Sequence, residues 1–195
     1  MVKELRTKSG VGMMDCKKAL IESNGDFGKA VEYLRKKGMS AAARRSSKAA
    51  KDGTVVSYIH MGGKIGVMVE INCETDFVAK TDDFRVLAKD IAMHVAAANP
   101  RYLKPEDIPE NILEKEKDIY RSQSLAEGKP EKILDRIVDG KLKKYYEDAC
   151  LLEQKFVKDT DISVRTLVNN MIAKTGENIV VRRFARFQLG EEIGG

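Results

Sequence analysis

The sequence has no tryptophan, only four prolines and only three cysteines in 195 residues. The cysteines, Cys16, Cys73 and Cys150, are odd in number and far apart, which argues against a disulfide framework and a zinc site and favours a reducing compartment. Uncharged runs such as residues 91–100 are far too short to cross a membrane. Charged residues from position 3 onward also argue against a signal segment. We therefore expect a cytoplasmic protein without membrane contact.

The sequence also lacks the residue patterns that enzymes and metal sites use. His60 and His94 stand in neither a His-Glu-x-x-His nor a Cys-x-x-Cys context, so zinc binding is not indicated. The run Gly-Gly-Lys-Ile-Gly at residues 62–66 lacks the spacer and the Lys-Ser/Thr ending of a phosphate-binding loop, and a hairpin turn is favoured there. There is no Gly-x-Ser-x-Gly nucleophile turn. We expect no enzyme, no metal and no cofactor.

Charge is present in quantity but unevenly distributed. Residues 1–52 hold 13 Lys and Arg against 6 Asp and Glu, whereas residues 53–195 hold 22 against 24. Residues 35–51, called the basic segment below, carry seven basic side chains and no acid. Such a segment is typical either of a solvated face or of a nucleic-acid contact. It has no aromatic side chain on which bases could stack, which weakens the nucleic-acid interpretation.

Helical periodicity predicts three short helices in residues 1–38, called the N-terminal module below. Glycines interrupt the pattern after residues 8 and 22, Asp26 is a good N-cap for the third helix, and Gly38 is expected to end it. A unit this small has no room for a pocket, so we expect a docking domain. Residues 39–52 contain almost no large apolar side chain and are predicted to be a partly helical, solvated linker.

From residue 53 the apolar period changes to two, which predicts strands. Gly62 and Gly63 predict a two-residue hairpin turn between the first two strands. Residues 53–195 are thus predicted to form an α+β core with a small antiparallel sheet. The remaining predicted elements are a helix at 83–98, a helical hairpin at about 109–150, a helix at 165–175 and a strand at 178–189.

One segment after the second strand permits two interpretations. Residues 74–78, Glu-Thr-Asp-Phe-Val, leave a buried strand with two acids and a large aromatic side chain. In the conservative interpretation Thr75 or Asp76 caps a helix and Phe77 folds back into the core. In the functional one Asp76 and Phe77 project as a wedge for a partner. Met13 and Met14 also permit two interpretations, since they could be core residues or an adaptable contact surface.

Two longer segments resemble the signatures of a known family. Residues 5–20, LRTKSGVGMMDCKKAL, are similar to the first signature of the elongation factor Ts family, and residues 70–80, EINCETDFVAK, match its second in full. The first signature usually contains Thr-Gly-Ala-Gly. This chain has Ser-Gly-Val-Gly at residues 9–12, which keeps the two turn glycines. Shorter matches lie at residues 92–97, 152–157 and 176–179. The resemblance covers essentially the whole chain.

The resemblance implies a ubiquitin-associated-like three-helix domain, a linker, and an α+β core carrying a helical hairpin. It implies a translation elongation factor that binds elongation factor Tu carrying GDP, disturbs the Mg²⁺ and phosphate site, and lets GTP replace GDP. The length is that of the short family form, for which the resemblance implies a homodimer and a 2:2 complex with Tu, without direct nucleic-acid contact. The alternative is a basic RNA- or ribosome-binding translation accessory protein that uses the basic segment.

The resemblance also assigns site residues. Thr75, Asp76, Phe77 and Val78, called the wedge segment below, are expected to enter the GTPase domain of Tu. Phe77 would insert between helices there, and Asp76 would disturb the groups around Mg²⁺. Further contacts with Tu are implied at Lys3, Arg6, Met13, Met14, Lys17, Ile65, Gly66 and His94.

Overall fold

The computed structural model describes residues 1–191, which form the predicted α+β fold. The helices in this part of the chain are α1 (Val2–Ser9), α2 (Met13–Glu22), α3 (Phe27–Arg45), α4 (Asp76–Ala79), α5 (Asp82–Ala98), α6 (Glu110–Ala126), α7 (Leu134–Ala149) and α8 (Val164–Thr175). The strands are β1 (Asp52–Ile59), β2 (Ile65–Cys73), β3 (Lys155–Phe156), β4 (Asp159–Ser163) and β5 (Ile179–Gln188). Short 3-10 turns lie at Pro105–Asp107 and Glu131–Ile133.

The described chain divides into two compact units. The first contains Met1–Ala97 together with the chain from Val164 onward, and the second is Ala98–Ser163. The N-terminal module, the sheet and α8 therefore belong to one unit. The sequence-based boundaries at residues 38 and 52 fall inside this first unit.

The sheet of the first unit has the strand order β1-β2-β5, and both pairings are antiparallel. Alternation along β2 buries Val67, Val69 and Ile71 and leaves Met68 exposed, as a period of two requires. The helices α5 and α8 contribute further buried apolar stripes, among them Phe84 and Ile91 on α5 and Val168 and Ile172 on α8. These residues form the core of the first unit next to the sheet.

The turn between β1 and β2 is longer than the predicted two-residue loop. The N–H of His60 still pairs with the carbonyl of Ile65 at 2.9 Å, so residues 61–64 form the loop. Within it the N–H of Gly63 donates to the carbonyl of His60 at 2.9 Å, which places Gly62 at the third position of the turn. Gly62 has φ 85° at this position, a left-handed conformation that favours glycine. The glycine signal was right, but the turn lies one residue earlier than predicted.

The three predicted helices of the N-terminal module are present and share a small core. It is built from Leu5, Val11, Cys16, Ala19, Leu20, Ala30 and Leu34. Asp26 caps α3 as predicted, because its carboxylate accepts a hydrogen bond from the N–H of Lys29 at 2.9 Å.

The predicted end of the third helix at Gly38 is wrong. The helix α3 passes through Gly38 without interruption and ends at Arg45, so it occupies much of the predicted linker. Gly38 is buried, and a Cβ atom on it would lie 3.4 Å from the side-chain oxygen of Asn170 and 3.7 Å from the carbonyl of Asn169. The glycine therefore allows α3 to approach α8 closely instead of ending α3.

The second unit contains the predicted helical hairpin. The helices α6 and α7 are joined through Gly128, whose φ of 74° suits a glycine. Arg121 forms an ion pair with Asp135, and the Lys141 ammonium lies 5.8 Å from the centre of the Tyr120 ring. The Arg121–Asp135 pair joins the second half of α6 to the first turn of α7, as an antiparallel arrangement requires. The short strands β3 and β4 were not predicted. Within residues 1–191 no helix is long and apolar enough to cross a membrane.

Candidate partner-binding site

The wedge segment begins directly after the buried strand β2. The hydroxyl oxygen of Thr75 accepts a hydrogen bond from the N–H of Val78 at 3.5 Å and so caps the single turn of α4. Thr81 then starts α5, since its hydroxyl accepts from the N–H of Phe84 at 3.3 Å. The capping part of the conservative interpretation is therefore correct.

The other part of that interpretation is wrong, because Phe77 does not fold back into the core. Its side chain is 81% exposed. An aromatic side chain held in water on an ordered turn gains about 1.5–3 kcal/mol when it is fully buried. The geometry therefore leaves Phe77 available to a partner.

Asp76 precedes Phe77 and is also exposed. The ammonium of Lys80 donates a hydrogen bond of 2.6 Å to its carboxylate. This hydrogen bond, aided by the positive charge of Lys80, lowers the pKa of Asp76 below its ordinary value. Asp76 is thus a negative charge at neutral pH beside an exposed phenyl ring.

The backbone at the start of the wedge segment is held by a carboxylate from another part of the chain. Glu177 follows α8, and its side chain accepts hydrogen bonds from the N–H of Glu74 at 3.2 Å and of Thr75 at 3.1 Å. It also accepts a hydrogen bond of 2.6 Å from the hydroxyl of Thr75. Glu177 lies in the matching segment 176–179 but has no role in the sequence-based prediction. The sequence carries no local signal for this contact, since the two segments are more than 100 positions apart.

A second carboxylate makes the return contact. Glu74 accepts a hydrogen bond of 2.6 Å from the N–H of Asn178 and lies 3.5 Å from the guanidinium of Arg45. The side-chain amide of Asn178 donates to the backbone carbonyl of Lys48 at 2.7 Å. The wedge segment, the start of β5 and the basic segment are therefore tied together.

Cys73, the last residue of β2, belongs to the same ordered region. It is fully buried, and its thiol donates to the carbonyl of Thr75 at 3.1 Å. Burial raises the pKa of this thiol to about 11, so the thiol remains protonated at neutral pH. Cys73 is a structural donor and not a nucleophile.

The structure places most of the other predicted contact residues at the surface. Lys3 and Arg6 on α1 and Lys17 on α2 are exposed. Met13 and Met14 are 53% and 75% exposed, so they are not core residues and are accessible to a partner. The N-terminal module therefore presents flexible apolar side chains next to basic ones. Ile65 and Gly66, at the start of β2, are partly exposed.

His94 is the exception among the predicted contact residues. It lies on α5, and its side chain is completely buried. A buried imidazole cannot touch a partner in this conformation, so direct contact through His94 is not supported. The apolar neighbours along α5 account for its position, since Ile91 and Val95 lie on the same buried face.

The basic segment is partly neutralised by acids of the same chain. Lys36 pairs with Glu32 at 2.8 Å, and Lys37 pairs with Asp15. Arg45 faces Glu74, as described above. Three of the seven basic side chains of the segment therefore have an acidic partner within the chain. Within residues 1–191 no group of three or more His, Cys, Asp or Glu side chains is arranged to hold a metal ion.

Comparison with known proteins gives a consistent result. Residues 28–191 match the family model described as elongation factor TS. The chain is 73% identical over 193 residues to "Elongation factor Ts" of Syntrophus aciditrophicus, covering 99% of this chain and 96% of the relative. It is 58% identical over 192 residues to the protein of the same name from Caldanaerobacter subterraneus, covering 98% of this chain and 96% of the relative. It is also 59% identical over 192 residues to "Elongation factor Ts" of Moorella thermoacetica, a match that covers 98% of this chain and 95% of the relative.

Proposed function

The chain belongs to the elongation factor Ts family and is a translation elongation factor, and from that premise we propose that it promotes nucleotide exchange on elongation factor Tu. It binds Tu carrying GDP, weakens the hold of Tu on Mg²⁺ and the phosphates, and allows GTP to enter. The exposed Phe77 beside the ionised Asp76 is the observation that carries this proposal. No covalent bond is made or broken. The proposed site of action is the cytoplasm, where translation takes place.

The physical basis is thermodynamic linkage. GDP affinity in a GTPase depends on Mg²⁺ and on the groups around the phosphates. A partner that binds most tightly to the form in which these contacts are displaced must weaken the nucleotide by the same factor. Insertion of Phe77 supplies binding energy, and the negative charge of Asp76 opposes the arrangement of groups around the metal.

The N-terminal module acts as the docking surface, as in a ubiquitin-associated-like domain. Met13 and Met14 provide adaptable apolar contacts, and Lys3, Arg6 and Lys17 surround them with positive charge. Charge at the rim of an interface raises the association rate more than the affinity. The module thus brings Tu to the chain, and the wedge segment produces the effect on the nucleotide. Ile65 and Gly66 add contacts near the start of β2.

A second copy of the chain completes the proposed assembly, giving a 2:2 complex with Tu. The sheet turns one face outward, called the outer sheet face below, and apolar side chains from all three strands lie on it. The exposed members are Val55, Ile59, Met68 and Phe187. The Glu70–Arg183 ion pair of 2.7 Å lies in the same cross-strand row as Val55. An apolar face rimmed by charge is typical of a protein contact.

The experiment that tests the exchange proposal is release of fluorescent mant-GDP from elongation factor Tu. Wild-type chain should accelerate release, and Phe77→Ala should remove most of the acceleration, by about tenfold or more, because insertion of the ring is lost. Since Phe77 is exposed, its removal should leave the melting temperature unchanged.

The matched control is Val86→Ala, which removes another exposed apolar side chain from the neighbouring helix α5. It should exchange nucleotide like wild type. If wild-type chain gives no acceleration, the exchange function is refuted. If wild type accelerates release and Phe77→Ala does so equally well, the wedge assignment is wrong although the exchange function stands.

A further inference from the structure

We propose that Glu177 is the positioning residue of the wedge segment, fixing the backbone from which Asp76 and Phe77 project. This inference rests on the proposed exchange function and deepens it. Glu177 lies outside the wedge segment in the chain and reaches it only through the fold. Its carboxylate bonds hold Glu74 and Thr75, the two residues that precede the exposed pair.

The first argument is the number of donors that one carboxylate gathers. Two consecutive backbone N–H groups and one hydroxyl converge on Glu177, at 3.2, 3.1 and 2.6 Å. Hydrogen bonds to an ionised acceptor are roughly twice as strong as neutral ones. The N–H groups of Glu74 and Thr75 precede the first turn of α4, so the helix itself cannot satisfy them. Without Glu177 these donors would turn to water.

The second argument is that the contact is reciprocal. Glu74 accepts from the N–H of Asn178, while Glu177 accepts from the N–H of Glu74. Each of the two segments therefore holds the other by a carboxylate. Arg45, at the end of α3, lies 3.5 Å from Glu74 and adds α3 to the network. A paired arrangement of this kind limits both rotation and sliding of the segment.

The third argument concerns where the side chains point. Thr75 uses its hydroxyl for Glu177 and for the N–H of Val78, so it is fully engaged within the chain. Asp76 and Phe77, the next two residues, are exposed. An ordered backbone beneath exposed side chains reduces the entropy lost when they insert into a partner. Displacements near 1 Å at a reacting site can cost about 100-fold in rate, so loss of the contact should be visible in exchange.

The experiment compares Glu177→Gln with Asp83→Asn in the full-length chain. Glu177→Gln keeps the size of the side chain but removes the charge and turns an NH₂ group toward three donors. Asp83→Asn is the matched control, because it removes a carboxylate of α5 that pairs at 2.7 Å with Lys174, in the last turn of α8 and three residues before Glu177, without touching the wedge segment. Any general loosening of α8 should affect both variants.

Two readouts separate positioning from stability. In the isolated chain, the amides of Glu74 and Thr75 should exchange hydrogen about tenfold faster in Glu177→Gln and at wild-type rates in Asp83→Asn. With Tu, Glu177→Gln should lower the maximal rate of mant-GDP release about tenfold and change the half-saturating concentration less than about threefold. The docking surface on α1 and α2 is unaltered, which is the reason for the small change in half-saturation.

A double variant gives the sharpest outcome. In the Phe77→Ala background, Glu177→Gln should cause a smaller loss than in wild type, because part of its effect acts through Phe77 and only the part that acts through Asp76 remains. Additive losses would overturn the positioning role, and so would wild-type amide exchange or wild-type release rates in Glu177→Gln. If wild-type chain itself fails to release GDP, the exchange function is refuted, and the amide readout in the isolated chain still decides whether Glu177 orders the segment.

Discussion

At the residue scale, neighbouring side chains in residues 74–78 have opposite tasks. The polar groups of Glu74 and Thr75 form hydrogen bonds within the chain. The side chains of Asp76 and Phe77 are exposed and present a charge and an apolar surface to solvent. The local sequence alone does not show which of these side chains bond within the chain and which are exposed. Thr75 is a recognisable cap, but whether an aromatic residue two positions later is buried depends on distant packing.

The Asp76–Lys80 pair leads to a prediction about pH. The pKa of Asp76 is lowered by the hydrogen bond from Lys80, so the pair is present above the ordinary carboxyl pKa and is lost as the pH falls through the lowered value. Lys80→Met should raise the pKa of Asp76 toward its ordinary value. Carboxyl NMR titration measures this shift. Lys89→Met, on the exposed side of α5, is the control and should leave the pKa of Asp76 unchanged, whereas an unchanged value in Lys80→Met would contradict the pairing.

The residues of the candidate site were predictable to different degrees. The wedge segment and the methionines could be named from the matching signatures. The exposed residues among them are Met13, Met14, Asp76 and Phe77. Glu177 could not be assigned a task, because the pairing of the α8–β5 connection with the β2–α4 connection arises only when the sheet forms. For His94 a role was predicted, but its burial was not. Its place in a matching segment says nothing about which face of α5 it occupies.

At the element scale, two glycines in helices illustrate what the sequence leaves undecided. Gly38 in α3 and Gly140 in α7 both lie inside helices, although glycine disfavours that position. Gly38 is buried against α8, with Asn170 at 3.4 Å from an added Cβ, while no atom lies within 4 Å at Gly140. The same residue type therefore permits close packing in one helix and has no packing role in the other.

This contrast predicts opposite effects of one substitution. Gly38→Leu should destabilise the first unit by about 1–3 kcal/mol, because the larger side chain forces α3 and α8 apart. Gly140→Leu should be neutral or stabilise its helix by up to about 1 kcal/mol, since leucine is the better helix former. Hydrogen exchange of the α8 amides measures the stability of the first unit, and that of the α7 amides measures the stability of the second. Equal effects at both sites would contradict the packing role of Gly38.

Long periodic elements were predictable and short or strained ones were not. The helices α5 to α8 and the strand β5 lie within one or two residues of their predicted bounds, because each carries several turns or alternations of a clear period. The two residues of β3 are too few to show any period. Gly38 was misjudged because glycine most often marks a helix end, and only the neighbouring α8 shows another use.

At the scale of the whole molecule, the net charge of +5 is a poor guide to function. The basic segment provides the excess, yet three of its side chains pair with acids that lie elsewhere in the chain. Part of the segment is the end of α3, in contact with α8 and Glu74, and not a free linker. The surfaces with the properties of contact sites are the exposed methionines, the wedge segment and the outer sheet face.

The outer sheet face predicts an effect on assembly. Met68 is its central residue, placed between Ser57 and Ala185 in the strand register. Met68→Lys should convert a dimer into a monomer, because it puts an unpaired charge into the proposed contact. Light scattering coupled to size exclusion measures the mass. Met39→Lys, an equally exposed methionine on α3, is the control, and a wild-type monomer that releases GDP at full rate would refute the dimer proposal.

The continuity of α3 has a consequence for how the chain can change length. A helix advances about 1.5 Å and turns about 100° per residue. One residue inserted between Leu34 and Gly38 would rotate the module that precedes it by about 100° relative to Gly38, which packs on α8. Lengthening here is tolerable only in steps close to whole turns. The loops at residues 61–64 and 127–130 do not have this limit, because they are exposed connections whose length sets no helical phase. The orientation of the N-terminal module relative to α8 therefore depends on the number of residues in α3.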